Sequence, residues 1–193
     1  MRKEAFLILE SWPWKQELLN HANVISETLV NYSSTDIEEE EFGAMEFRLE
    51  RAVFYSAYII RKLIENGKLT DICSTQKISV SVYKSIATQP SIRKSFGLEM
   101  GRNFESFENN KITLQLDSLM SEIIHSFLLV WQRGDSGQLE GMLLSSYKNQ
   151  TKRALLLKFD QLIEIIRSVG NDDVVKIDSS VDPETGEVVR KNS

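Results

Sequence analysis

Cysteine is almost missing from this chain: Cys73 stands alone among 193 residues. A lone cysteine cannot close a disulfide within the chain. That excludes the disulfide-stapled secreted scaffolds and fits a reducing, cytoplasmic setting. Histidine is as scarce, with only His21 and His125. Two histidines and one cysteine do not suffice for a structural zinc site, and neither a metal nor a cofactor is expected. No apolar run approaches the roughly 20 residues that span a bilayer, so no membrane partner is expected. The short run Ala5-Phe6-Leu7-Ile8-Leu9 follows a charged start, but Glu10, Trp12 and Pro13 come next. Those residues do not make a signal-peptide cleavage site. An excess of positive charge is absent too. The net charge of −5 argues against broad, nonspecific binding to nucleic acid or anionic membranes. The chain also lacks the Gly-x-x-x-x-Gly-Lys, Gly-x-Gly-x-x-Gly and Gly-x-Ser-x-Gly motifs of phosphate, dinucleotide and acyl chemistry.

What is present is an ordinary globular composition, 41% hydrophobic and 26% charged. The expectation is one domain over residues 1–178 and a polar tail over 179–193, mobile or a loose hairpin. The fold class expected is α+β and predominantly helical. A long central helix, an N-terminal helix and a helix carrying His125 are joined by a small antiparallel sheet in the C-terminal half.

Helical spacing of Leu18, Ala22, Ile25, Leu29 and Val30, with Pro13 in the first turn, predicts a first helix over 13–31. Thr35 and Glu38 have capping-box spacing, and the run Asp36 to Glu41 suits the positive end of a helix dipole. A second helix is therefore predicted over 36–66, stopped at Gly67. Phe42, Met45, Leu49, Val53, Ile60 and Ile64 form one apolar face. Phe47, Phe54 and Tyr58 form another, nearly opposite. A helix apolar on two sides predicts a central position, packed from two directions.

Alternation then takes over. Ile78, Val80 and Val82 predict a strand, as do Ile112, Leu114 and Leu116. Phe104, Phe107 and the turn-like Glu108-Asn109-Asn110 before them suggest a hairpin. Asp117 or Ser118 is expected to cap a third helix reaching Phe127. Residues 127–131 and 139–147 read as strands about the turn Arg133-Gly134-Asp135-Ser136-Gly137. Another strand is predicted over 153–159, then a helix capped by Asp160 and stopped by Gly170, then a last strand over 174–177.

One chemical constellation stands out on the third helix. Ser118, Ser121, Glu122 and His125 share a polar stripe, because residues three and four apart lie on one face. A histidine one turn from a serine and beside a glutamate can shuttle protons or bind phosphate. Arg51 is the second candidate. It interrupts the aromatic face of the second helix and must meet an anion, a carbonyl or a ring. Arg61 and Lys62 read as solvated positions near the helix end.

The stretch Arg48-Leu49-Glu50-Arg51-Ala52-Val53-Phe54-Tyr55-Ser56-Ala57-Tyr58 and the stretch Ser121-Glu122-Ile123-Ile124-His125-Ser126 resemble the HEPN-like helical proteins. That resemblance implies a helical bundle, often dimeric, often encoded with defence or toxin systems. Active members cut RNA with an arginine and a histidine about one turn apart, often with an asparagine after the arginine. Here His125 matches the histidine, Ser121 falls at the asparagine position and Met120 at the arginine position. A nuclease of this type would need Arg51 from the other helix. Two functions are thus expected in order: a non-catalytic interaction or regulatory module that self-associates as a dimer, with a further protein partner open, and an RNA-processing nuclease using His125 and Arg51.

Overall fold

A computed structural model describes residues 10–32, 39–85, 110–134, 137–175, 177–181 and 188–192. The fold is α+β, as expected. Helix α1 spans Trp12–Asn31 and α2 spans Glu39–Glu65. The short α3 (Asp71–Ser74) leads into strand β1 (Lys77–Lys84), and β2 covers Lys111–Gln115. Helix α4 (Leu116–Ile124) connects to β3 (Ser126–Arg133), β4 (Leu139–Ser146) and β5 (Arg153–Lys158). Helix α5 (Phe159–Gly170) and a two-stranded ribbon, β6 (Ile177–Val181) with β7 (Val188–Asn192), complete it. The capping box at Thr35 and Glu38 and the hairpin at Phe104 and Phe107 lie outside the described residues.

The main sheet is antiparallel, in the order β2-β1-β5-β4-β3. Its inner face carries Ile78, Val80, Met142, Leu144, Leu155 and Leu157 into one connected core. Helices α4 and α5 lie against that face, and α1 and α2 pack on them in turn. The opposite face holds a smaller cluster, Leu128, Leu143 and Ala154 with Tyr83 and Leu156 beside it. The alternation of the strands explains the division, since neighbouring side chains point to opposite faces.

Helix α2 is the scaffold the patterning called for, but only one of its apolar faces is covered. Leu49, Val53 and Ile60 are fully buried. Phe47 and Tyr58 of the other face are 62% and 48% exposed, while Phe54 is half-buried against the core. Two-sided apolarity here marks a core face plus an open aromatic face. Gly67 does follow α2, with a φ of 60° that favours glycine.

Three boundaries differ from the sequence reading. Helix α4 ends at Ile124, not Phe127, because Ser126 already pairs with Ser146 and strand pairing claims the apolar run after it. Neither Asp117 nor Asp160 is a cap; both sit in the first turns of α4 and α5, where a carboxylate suits the helix dipole. The last strand begins at Ile177, so the expected boundary after residue 178 falls inside β6. Residues 177–181 and 188–192 pair as a ribbon, and Asn192 Nδ2 donates to the Gly67 and Leu69 carbonyls, tying β7 to the end of α2.

Candidate functional site

Helix α4 is amphipathic in the simplest way. Leu116, Leu119, Met120 and Ile123 are fully buried. Its polar side faces a cleft of about 600 Å³ lined by Asp117, Ser118, Ser121, Glu122 and His125, with the β4–β5 connection opposite. The pairing of Ser126 with Ser146 and the Tyr147 N–H donated to the His125 carbonyl (3.2 Å) bring that connection alongside the end of α4. The expected stripe is therefore a real wall of one cleft.

The arginine that lines it is Arg153 on β5, and Arg61 near the end of α2 touches two of its wall residues; Arg51 does neither. Arg61 Nη1 donates to Ser121 Oγ (3.2 Å) and lies 3.5 Å from His125 Nε2. Its Nε pairs with Glu65 at 2.8 Å. An arginine accepts no hydrogen bond, so that contact is favourable only with a bare His125 Nε2 and the ring proton on Nδ1. Arg61 is thus tied to Ser121, His125 and Glu65 while its side chain stays 36% exposed, in keeping with a solvated position near the helix end. Its partners lie 60 and 64 residues away, Ser121 on α4 and His125 just past the end of that helix rather than on it as expected, and nothing in the local sequence announces them.

Arg51 sits elsewhere. Its guanidinium lies 6.0 Å from the Phe47 ring centre. It lines a separate groove of about 370 Å³ between α1 and α2, with Glu17, His21, Arg48 and Tyr55 among its neighbours. Arg51 and His125 share no cleft and no contact among the described residues.

Glu122 turns inward rather than toward His125. Its side chain is 10% exposed and pairs with Arg153 Nη2 at 3.2 Å. It also accepts from Asn149 Nδ2 (2.5 Å) and the Ser146 N–H (3.3 Å). Burial alone would raise its pKa. The hydrogen bonds from Ser146, Arg153 and Asn149 outweigh burial and hold the carboxyl below its ordinary range. Glu122 is the tether between α4 and the β4–β5 connection, so it is a wall of the cleft and not a free base.

A second polar cluster escaped the sequence reading. His21 Nδ1 is 3.1 Å from Ser56 Oγ, and His21 Nε2 is 3.3 Å from Glu17 Oε1. The three residue types are those of a serine hydrolase triad, but the two ring nitrogens are exchanged relative to it and Ser56 is fully buried, so no substrate reaches it. Burial lowers the His21 pKa, and Arg51 lowers it further, against the opposing pull of Glu17. The cluster joins α1 to α2. Cys73 is buried, and its thiol is pushed up to about 12, first by burial and then by Asp172, which leaves it no nucleophilic character.

Among the described residues no group of three or more His, Cys, Asp or Glu is placed to hold a metal ion, and no helix is long and apolar enough to cross a membrane. No protein-family model matches the chain, and no curated protein or solved structure matches it either.

Proposed function

We propose that this chain is a non-catalytic interaction module of the cytoplasm that acts by self-association. The observation that carries the reading is the open aromatic face of α2. Phe47, Tyr55 and Tyr58 are 62%, 55% and 48% exposed, with Arg51 among them. Aromatic residues and arginine are the side chains that dominate protein interfaces, because each brings a large apolar area with a polar tip. A folded chain has no structural need to leave three such rings on one exposed helix face.

Light scattering on the full chain tests the reading. A reversible dimer is expected. Phe47→Glu is expected to weaken it by about 2 kcal/mol, a factor of roughly thirty in Kd. A monomer at high concentration, or a dimer indifferent to Phe47→Glu, would overturn it.

A second reading is an RNA-processing nuclease of HEPN-like type, with Arg61 in the place first given to Arg51. The specific observation in its favour is the 3.5 Å approach of Arg61 to His125 beside Ser121. It predicts RNA cleavage that His125→Ala and Arg61→Ala each reduce by about a hundredfold or more, the usual contribution of an acid–base or charge-stabilising group. Absence of cleavage in the wild type, or cleavage unchanged in both variants, would sink it.

A further inference from the structure

The exposed line on α2 is symmetric in its spacing. Glu40, Ala44, Phe47, Arg51, Tyr55, Tyr58 and Lys62 follow at steps of four, three, four, four, three and four residues. Eleven residues make three turns and about 20° more, so the line stays nearly parallel to the axis over about 33 Å. Each of the seven residues reaches solvent. The spacing reads the same from either end, and Arg51 is its midpoint.

The chemistry along the line is complementary about that midpoint. A two-fold axis through Arg51 lays α2 antiparallel on its own copy. Glu40 then meets Lys62 of the second copy, Ala44 meets Tyr58, and Phe47 meets Tyr55. Acid faces base, small faces large, and ring faces ring, each contact occurring twice as an isologous interface requires. A parallel pairing also sets ring against ring, but it loses the charge and size complementarity, since Glu40 then faces Glu40, Lys62 faces Lys62 and Ala44 faces Ala44. An antiparallel pairing shifted by one block sets Glu40 against Arg51 but overlaps only half of the line.

We propose that two copies of this chain pair through α2 in the antiparallel register centred on Arg51. The proposal rests on the self-association reading and fixes its geometry. Lys62 already meets Glu65 of its own chain at 2.6 Å. Glu40 of the second copy is therefore a further carboxylate, which selects the register more than it adds affinity. The axis itself carries one repulsive contact, Arg51 against Arg51. Each guanidinium rests near its own Phe47 ring, which spreads that charge over an aromatic face.

A residue on a two-fold axis faces only itself, and this gives the decisive experiment. Wild-type chain is mixed with full-length Arg51→Glu and examined by native mass spectrometry. Each protein alone has like charges on the axis, whereas the mixed dimer has an Arg–Glu pair. Heterodimers are expected above their statistical share, and Arg51→Glu alone is expected to dimerise no better than wild type. In a second arm, Glu40→Lys and Lys62→Glu each weaken dimers about fivefold alone, two exposed charge contacts being reversed per dimer, and recover when mixed. Circular dichroism checks that these exposed substitutions leave the fold intact. A dimeric wild type with statistical mixing in both arms overturns the register while leaving self-association standing. A monomeric wild type overturns both.

Discussion

A Phe159→Ala variant is expected to lose about 4 kcal/mol of stability and to melt roughly 12 °C below the wild type, measured by thermal denaturation. Phe159 is 1% exposed and heads the largest fully buried side chains. It is the first residue of α5, where the chain leaves β5 and turns back over the sheet. Its ring lies 5.8 Å from that of Trp131 on β3, so it packs helix against sheet across two strands. Alanine removes the transfer energy of the ring and leaves a void that a sheet and helix joined at this corner cannot close. A loss below about 1 kcal/mol would mean that the corner collapses freely, contrary to the packing described.

Glu122→Ala is expected to cost about 3 kcal/mol, the lower end for breaking a buried ion pair, since Arg153 keeps some contact with water. The loss has several parts. Arg153 and Asn149 lose an acceptor, the Ser146 N–H loses its partner, and α4 loses its tie to the β4–β5 connection. Glu122→Gln, which keeps an acceptor and the shape, is expected to lose less. The effect has a pH signature. The folded state holds this carboxyl below its ordinary value of 4.5, so it binds the proton less readily than the unfolded chain does. Its stabilisation is complete above that ordinary value and is lost as pH falls from there through the lower folded value. The stability gap between wild type and Glu122→Gln, followed by denaturant titration, should therefore shrink below about pH 4. A gap independent of pH would refute the ionised tether.

Local patterning carried the architecture a long way. Periodic spacing found α1 and α2 within a few residues and alternation found β1 and β2, because burial of one face imposes both rhythms on a chain, while β3 and β4 were legible from the turn between them. The polar stripe was legible for the same reason. Ser118, Ser121, Glu122 and His125 share a wall of the cleft since one helix sets their geometry. What stayed hidden depends on contacts between distant segments. Nothing near Arg61 tells of Ser121, and nothing near Glu122 tells of Arg153. The choice of Arg51 failed because an arginine among aromatic residues looks the same whether its face is covered or open. Apolar character also cannot say which of two faces the fold will cover. The pattern places Phe47 and Tyr58 against a second layer, whereas both are exposed and form the open face of α2. The end of α4 was lost where apolar residues run on from helix to strand, since such a run fits either period.

The order in which these elements emerge during synthesis adds a demand of its own. Helices α1 and α2 are made first, yet the partners that cover them, α4 and α5, are made long afterwards. Lys15 on α1 donates to the Asp172 carbonyl, 157 residues later in the chain. At roughly 5–20 residues per second, the ribosome needs on the order of ten seconds to deliver it. For part of that interval α2, whose Leu49, Val53 and Ile60 are buried in the finished fold, lacks the helix α4 that packs on it, and its Phe47, Tyr55 and Tyr58 remain exposed afterwards. Apolar surface held open in that way is prone to aggregation. The unfinished chain is also prone to meet a neighbouring nascent chain on the same message before its own C-terminal half arrives.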